Sequence, residues 1–258
     1  MRPTRALEPG EVQVTGGVIV PVAASAIDAI IDLGEDAADQ ARAAQNAGEP
    51  LTPEQERELT TSALALVLFQ PAIVPELAAR VGVGFDVDLG LRYSGQLVKG
   101  EAHWQFWESE GGVLASATLG YAHHLGPGTS ALQTGFDALE FIKLVDYSRQ
   151  DIDARLSIGK DWGQWLSVYG AARYLVSFLD FGAQLDDVES STGQDIIDAG
   201  GAVHHVGVTG GLMIGYKHVF VNLELNVAQV FFEPSILGQT QDLSGLIFAP
   251  GVGVTASF

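Results

Sequence analysis

From Leu77 to Tyr93 the chain alternates without a break. Leu77, Ala79, Val81, Val83, Phe85, Val87, Leu89, Leu91 and Tyr93 stand at odd positions, with Ala78, Arg80, Gly82, Gly84, Asp86, Asp88, Gly90 and Arg92 between them. A period of two is the mark of extended chain with one apolar face and one small or charged face. As a single strand this run would measure about 56 Å at ~3.3 Å per residue, so a turn has to interrupt it. Gly84-Phe85-Asp86 is the natural place. A three-residue connection pairs Val83 with Val87 and keeps odd positions on one face, whereas a two-residue turn sends Val87 to the other.

The same parity runs along the rest of the chain. Val12, Val14, Gly16, Val18, Val20 and Val22 form a first strand. A turn over Ser94 to Leu97 pairs Tyr93 with Val98 and moves the apolar set to Ala102, Trp104 and Phe106. Then come Val113 to Tyr121, Ile152 to Ile158 and, after a turn at Asp161-Trp162-Gly163, Leu166 to Val176. Val206 to Tyr216 follows, and the two-residue turn Lys217-His218 leads to Val219 to Val227. Phe248, Pro250, Val252, Val254, Ala256 and Phe258 share one face of the last strand. The total is ten strands. Leu139 to Gln150 is apolar enough to form one more, and pairing it with residues 151 to 160 would require twelve.

The fold class expected is all-β: a closed antiparallel β-barrel of about ten strands, occupying residues 1–258 as one domain. The long strands with one lipid-compatible face and the aromatic last residue resemble bacterial outer-membrane β-barrel proteins, whose C-terminal sorting signal ends in an aromatic preceded by apolar residues at every second position. The hairpin Arg80 to Arg92, with Asp88-Leu89-Gly90-Leu91 after its turn, is similar to those of many uncharacterised small barrels of Gram-negative bacteria. The resemblance implies a lipid bilayer around the strands, assembly machinery that recognises Phe258, and a location in the cell outer membrane. Short periplasmic turns at 84–86, 109–112, 161–163 and 217–218 and longer outer loops at 23–75, 94–97, 124–150, 178–202 and 233–243 place both termini in the periplasm.

Composition fits. The chain has 258 residues, no Cys and a net charge of −19, which excludes nucleic acid as a partner because too few cations are present to neutralise phosphates. No apolar run is long enough for a membrane-spanning helix, so any crossing is by strands. Met1 to Arg5 is followed by no apolar export segment, so an exported chain would be in its mature form.

Residues 23–75 read as a helical insertion between the first and second strands. Ala26, Ile27, Ile30 and Ile31 have helical spacing, Asp36 to Ala47 is Ala-rich, and Thr52-Pro53-Glu54-Gln55 is a capping box that opens a helix to about Phe69. Leu59, Ala63, Leu66 and Val67 form its apolar stripe, which calls for burial in the lumen, over the mouth or at the lipid interface, as a lid, a plug or a partner surface.

The opposite parity gives the interior. It carries Arg80, Asp88, Arg92, Glu101, His103, Gln105, Asp153, Arg155, Arg173, Asn222, Glu224 and Asn226, together with Glu11, Gln13 and Tyr169. In so narrow a barrel, facing charges pair and fill the space, so a wide diffusion pore is excluded and the choice lies between a plugged interior and a narrow polar passage. His123-His124 and His204-His205 fall at the outer rim near Asp180, Asp186, Asp187, Glu189, Asp195 and Asp198, a weak candidate for metal binding or water activation. No phosphate loop, zinc helix or nucleophile elbow is present, and no cofactor is implied. The motifs of ten-stranded outer-membrane proteases and twelve-stranded lipid enzymes are not matched. Tyr93, Trp104, Phe106, Tyr121, Tyr174, Tyr216 and Phe258 suit interfacial girdles, while Trp107, Trp165 and Tyr169 are expected to point inward.

The leading expectation is a small outer-membrane barrel with a helical lid or plug, serving passage or binding of a small solute or envelope architecture. The alternatives are a hydrolase at the barrel mouth and a soluble barrel that holds an apolar ligand, in which the two faces would invert.

Overall fold

In the computed structural model residues 4–23, 27–68, 73–95, 97–125, 142–185 and 196–258 are described. Ten antiparallel strands form a closed ring: β1 Val12–Ile19, β2 Val74–Gly84, β3 Val87–Ser94, β4 Leu97–Glu108, β5 Val113–His124, β6 Ile142–Trp162, β7 Leu166–Leu185, β8 Ile196–Tyr216, β9 Val219–Phe231 and β10 Gly245–Ser257. Each strand pairs with its neighbours in sequence, and β10 closes on β1 from Gln13↔Ser257 to Ile19↔Gly251. Closure removes the free edges that an open sheet of this size would leave. A short extension, Val22–Ala23, adds to β10 beyond Pro21.

The faces fall as the alternation requires. Val83 is 48% exposed, Leu89 51% and Val208 60%, whereas Arg80 is 3% exposed and Asp88 fully buried. The barrel is apolar outside and charged inside, the reverse of the soluble alternative.

Four details of the connections differ from the sequence reading. Phe85 and Asp86 alone make the first turn, both with positive φ, which is the type I′ geometry of a tight hairpin. Parity nevertheless survives, because a bulge between Gly82 and Gly84 inserts one unpaired residue, Val83, and restores Val87 to the outer face. A second bulge, between Gln105 and Trp107, turns Trp107 outward opposite Ala115, so it does not face the lumen. The turn expected at 161–163 lies instead at 163–165, since Trp162 still pairs with Leu166, and Trp165 is exposed there and not inward. Tyr216↔Val219 and Tyr93↔Val98 pair as expected.

At the end away from the short turns three strands continue far beyond the expected bounds. β6, β7 and β8 hold 21, 20 and 21 residues, about 70 Å each at ~3.3 Å per residue. Ile142 to Gln150 therefore prolongs β6 and pairs with the upper part of β7, past a register shift between Val145 and Ser148. That answers the parity problem of this segment without twelve strands; Leu139 to Phe141 lie outside the described residues.

Helices α1 Ile27–Ala47 and α2 Pro53–Leu68 pack on each other at this same end. The capping box forms: Thr52 N–H donates to Gln55 Oε1 at 2.8 Å and Gln55 N–H to Thr52 Oγ1 at 3.3 Å. α2 touches β6 and the small hairpin of Ser235–Ile236 with Gln239–Thr240, and Leu51, Leu59 and Ile236 are fully buried. The side chains of Ala63, Leu66 and Val67 lie outside the described residues, as does Phe69.

Candidate functional site

The interior is built in tiers. At the end that carries the short turns, Leu114, Met213 and Phe220 are buried, and Met213 and Phe220 cluster with the Tyr169 ring. At the other end Leu175, Leu179, Phe181, Val203 and Phe232 are buried, with an ion pair among them in which Arg149 Nε donates to Asp151 Oδ1 at 2.8 Å. Between these lies a charged tier.

Two acidic hubs organise it. Asp153 on β6 accepts from Lys99 Nζ at 2.6 Å and from Arg173 Nε and an Arg173 terminal nitrogen at 2.8 and 3.2 Å, with Arg155 3.8 Å away. Asp88 on β3 lies 2.9 Å from His103 Nδ1 and 3.4 Å from the Arg80 guanidinium. Glu101 extends the Asp153 side, 2.9 Å from Lys99 and 3.7 Å from Arg92, which also reaches Glu76 at 2.8 Å. Carboxylates and cations alternate around the ring, so each buried charge has an opposite neighbour and its desolvation is offset in place.

Glu224 on β9 completes the tier. Tyr169 O–H donates to its Oε2 at 2.7 Å and Asn226 Nδ2 to its Oε1 at 2.8 Å, while Thr209 O–H donates to Asn226. Asn222 Nδ2 donates to Thr255 Oγ1 at 2.6 Å. Gln105 accepts a bond from the backbone of Ala6, at the edge of the tier.

Two cavities lie within the wall among the described residues. A cavity of about 90 Å³ remains among Glu76, Arg92, Glu101, Arg155, Tyr169 and Glu224, room for a few water molecules. A second, of about 130 Å³, lies among Arg173, His205 and Asn226.

All twelve inward candidates sit on the interior side of their strands, but they form a packed network and not a convergent cleft. The histidines do not come together: His123 and His124 lie on β5 and His204 and His205 on β8, with β6 and β7 between them. Alternation also splits each pair. His123 faces out opposite Val98 and His124 meets the Tyr147 ring edge-on, while His204 hydrogen-bonds the Tyr174 hydroxyl on the outside and His205 lines the second cavity. Among the described residues no group of His, Asp and Glu is placed to hold a metal. Asp186, Asp187, Glu189 and Asp195 lie outside the described residues.

Solved outer-membrane β-barrels are its structural neighbours. Neisserial surface protein A is 9% identical at a TM-score of 0.36, covering 96% of both chains. The N-terminal β-barrel domain of Pseudomonas aeruginosa OprF is 10% identical at 0.33, covering 97% of this chain and 98% of that one. A major outer membrane protein from Thermus thermophilus is 11% identical at 0.36, covering 96% and 99%. No protein-family model matches the sequence, and no curated protein matches it. The barrel described above rests on its own strand pairing.

Several participants were not foreseen from the sequence, Glu76, Thr209 and Thr255 among them, and two matter most. Lys99 shares the parity of Glu101 and His103 and was legible by the same count. The other is the segment before β1. Arg5 bonds Asp161 at 2.6 Å, and the backbone N–H groups of Ala6 and Leu7 donate to Gln105 and Asp88, each at 2.8 Å. Its one sequence signal is Pro9-Gly10 directly ahead of the first strand, a turn pair that folds the preceding residues back on the barrel.

Proposed function

We propose that this chain is a small outer-membrane β-barrel with a filled interior, whose role is architectural at the envelope and not diffusive. The observation that carries the reading is the inversion of polarity: a continuous band of exposed Val, Leu, Ile, Tyr and Trp around a wall that encloses paired charges and cavities of about 90 and 130 Å³. Water gives such a band no stabilising partner, whereas lipid does, and a closed barrel satisfies every backbone group inside the bilayer. The stretch from Leu166 up to Tyr174 matches the roughly 9–11 residues that a tilted strand needs to cross. Trp162 and Trp104 lie towards the turn end of the strands, and Tyr121 and Tyr174 border the band on the other side, all at least 43% exposed. Aromatics in these positions suit the two interfaces.

In this reading the short turns face the periplasm, with Phe258 at the end of β10 available to the assembly machinery. The prolonged β6, β7 and β8 and the helical pair α1 and α2 project outward as a lid over the mouth, the part of the molecule that a ligand or partner meets first. Twelve interior residues from Arg80 to Asn226 act as filling that holds the wall round, and the rim histidines carry no assigned chemistry.

Envelope fractionation tests the placement: the exported chain should stay with outer membranes and run as a faster band when unboiled. Planar-bilayer recording tests the filling. The expected result is no stable open channel from the full chain; a steady ohmic conductance would instead make the lumen a passage for small solutes.

A further inference from the structure

We propose that residues 4–10 form a strap that closes the turn-side mouth of the lumen and can leave it without unfolding the barrel. This goes beyond the envelope role and needs only the closed barrel.

Glu8-Pro9-Gly10-Glu11 makes a tight turn in which Glu11 N–H donates to Glu8 O at 2.9 Å, with Pro at the second position and Gly10 at φ 86 in the third. That is the type II geometry that this residue pair favours. It reverses the chain from β1 into the barrel. The segment then crosses the mouth from wall to wall. Leu7 donates to Asp88 on β3, Ala6 to Gln105 on β4, and Arg5 pairs with Asp161 on β6. Arg80 returns a bond to the Arg5 carbonyl at 3.2 Å, and Thr4 is fully buried.

Two interior glycines make room for the crossing. A Cβ at Gly82 would overlap the Glu8 carbonyl oxygen and stand 2.7 Å from that of Leu7, and a Cβ at Gly159 would stand 2.8 Å from Thr4 Oγ1. Even alanine at either position would collide with the strap. Yet the strap between Thr4 and Glu8 joins no strand ladder: β1 pairs with β2 and β10 from residues 12 and 13 onward, so the ring is complete without it. A segment held by these few bonds and one backbone bond, Gly10 N–H to Gly82 O at 2.9 Å, across a wall that closes by itself is a removable seal, and it stands against the charged tier at Asp88, next to the cavity.

The chain has no Cys, so a single introduced thiol reports access. Thr118 lines the cavity above the strap. In detergent-solubilised protein carrying Thr118→Cys, reaction with N-ethylmaleimide is timed with the strap present and with residues 4–9 deleted, and folding is checked by the unboiled gel band. The strap-free protein should fold and label at least tenfold faster. Equal rates in the two folded proteins would overturn the proposal. If the deletion does not fold, Gly82→Val, which fills the strap's seat while suiting a strand, is judged by the same criterion. If neither folds, the segment is barrel core and the proposal fails. The readout does not depend on the bilayer, so it stands apart from the envelope reading.

Discussion

Lys99 Nζ meets Asp153 Oδ2 at 2.6 Å by passing over Gly120, the residue on the intervening strand β5. A Cβ at Gly120 would lie 3.0 Å from Lys99 Cε, so the lysine stem occupies the space that a side chain there would take. The same device recurs farther round the wall, where the Tyr169 ring lies over Gly211 of β8 to reach Glu224 on β9. In both places a glycine on the middle strand lets the two strands that flank it be joined by a side-chain bond inside the barrel.

Replacing Lys99 with Met removes one cation from Asp153 and Glu101, while Arg173 and Arg92 stay. The expected loss of folding stability is about 2–3 kcal/mol, the cost of leaving buried carboxylates short of a partner. Urea-induced unfolding of the barrel in lipid vesicles measures it, and a change below about 0.5 kcal/mol would mean that water serves these carboxylates as well as lysine does.

Tyr169 and Gly211 should behave as a coupled pair. Tyr169→Phe loses a hydrogen bond to a carboxylate, worth about 1.5–3 kcal/mol. Gly211→Ala pushes the ring off its seat and should cost about 1–3 kcal/mol. Since both act on one contact, the double variant should cost clearly less than the sum; strict additivity in the same unfolding measurement would show that the ring does not depend on the glycine.

At an outward position the sign of the argument reverses. Val208→Arg puts a charge into the apolar band, 60% exposed on β8. Folding into vesicles should weaken by about 2–4 kcal/mol if the position lies near the bilayer centre. Unchanged folding there would remove lipid as the medium outside the barrel.

Replacing residues 27–68 by a short linker should leave the ten-stranded barrel folded, because the ring closes without the helices and, among the described elements, the main contacts of α2 outside its own helical pair are with β6 and the Ser235–Ile236 hairpin. Some stability should go with the burial of Leu51, Leu59 and Ile236. An unboiled sample that keeps its faster mobility fits a lid. Loss of that band would place the helices in the core of the fold.

Alternation in Leu77 to Tyr93 and its repeats determined the strands, their faces and the charged lining, because a side-chain period of two is a local property and the inside and outside of a barrel demand opposite chemistry. Local signals of the same kind also determined the capping box of α2 and the Lys217-His218 turn. What the tertiary structure decided was everything that depends on which strands become neighbours. The bulges at Val83 and beyond Gln105 preserve or flip parity only through pairing with a partner strand. The prolonged β6 becomes intelligible only beside β7. The joining of Lys99 to Asp153 over Gly120, the seating of Tyr169 on Gly211 and the course of Arg5 to Leu7 across the mouth all bring together residues far apart in the chain, and no local period records such closeness.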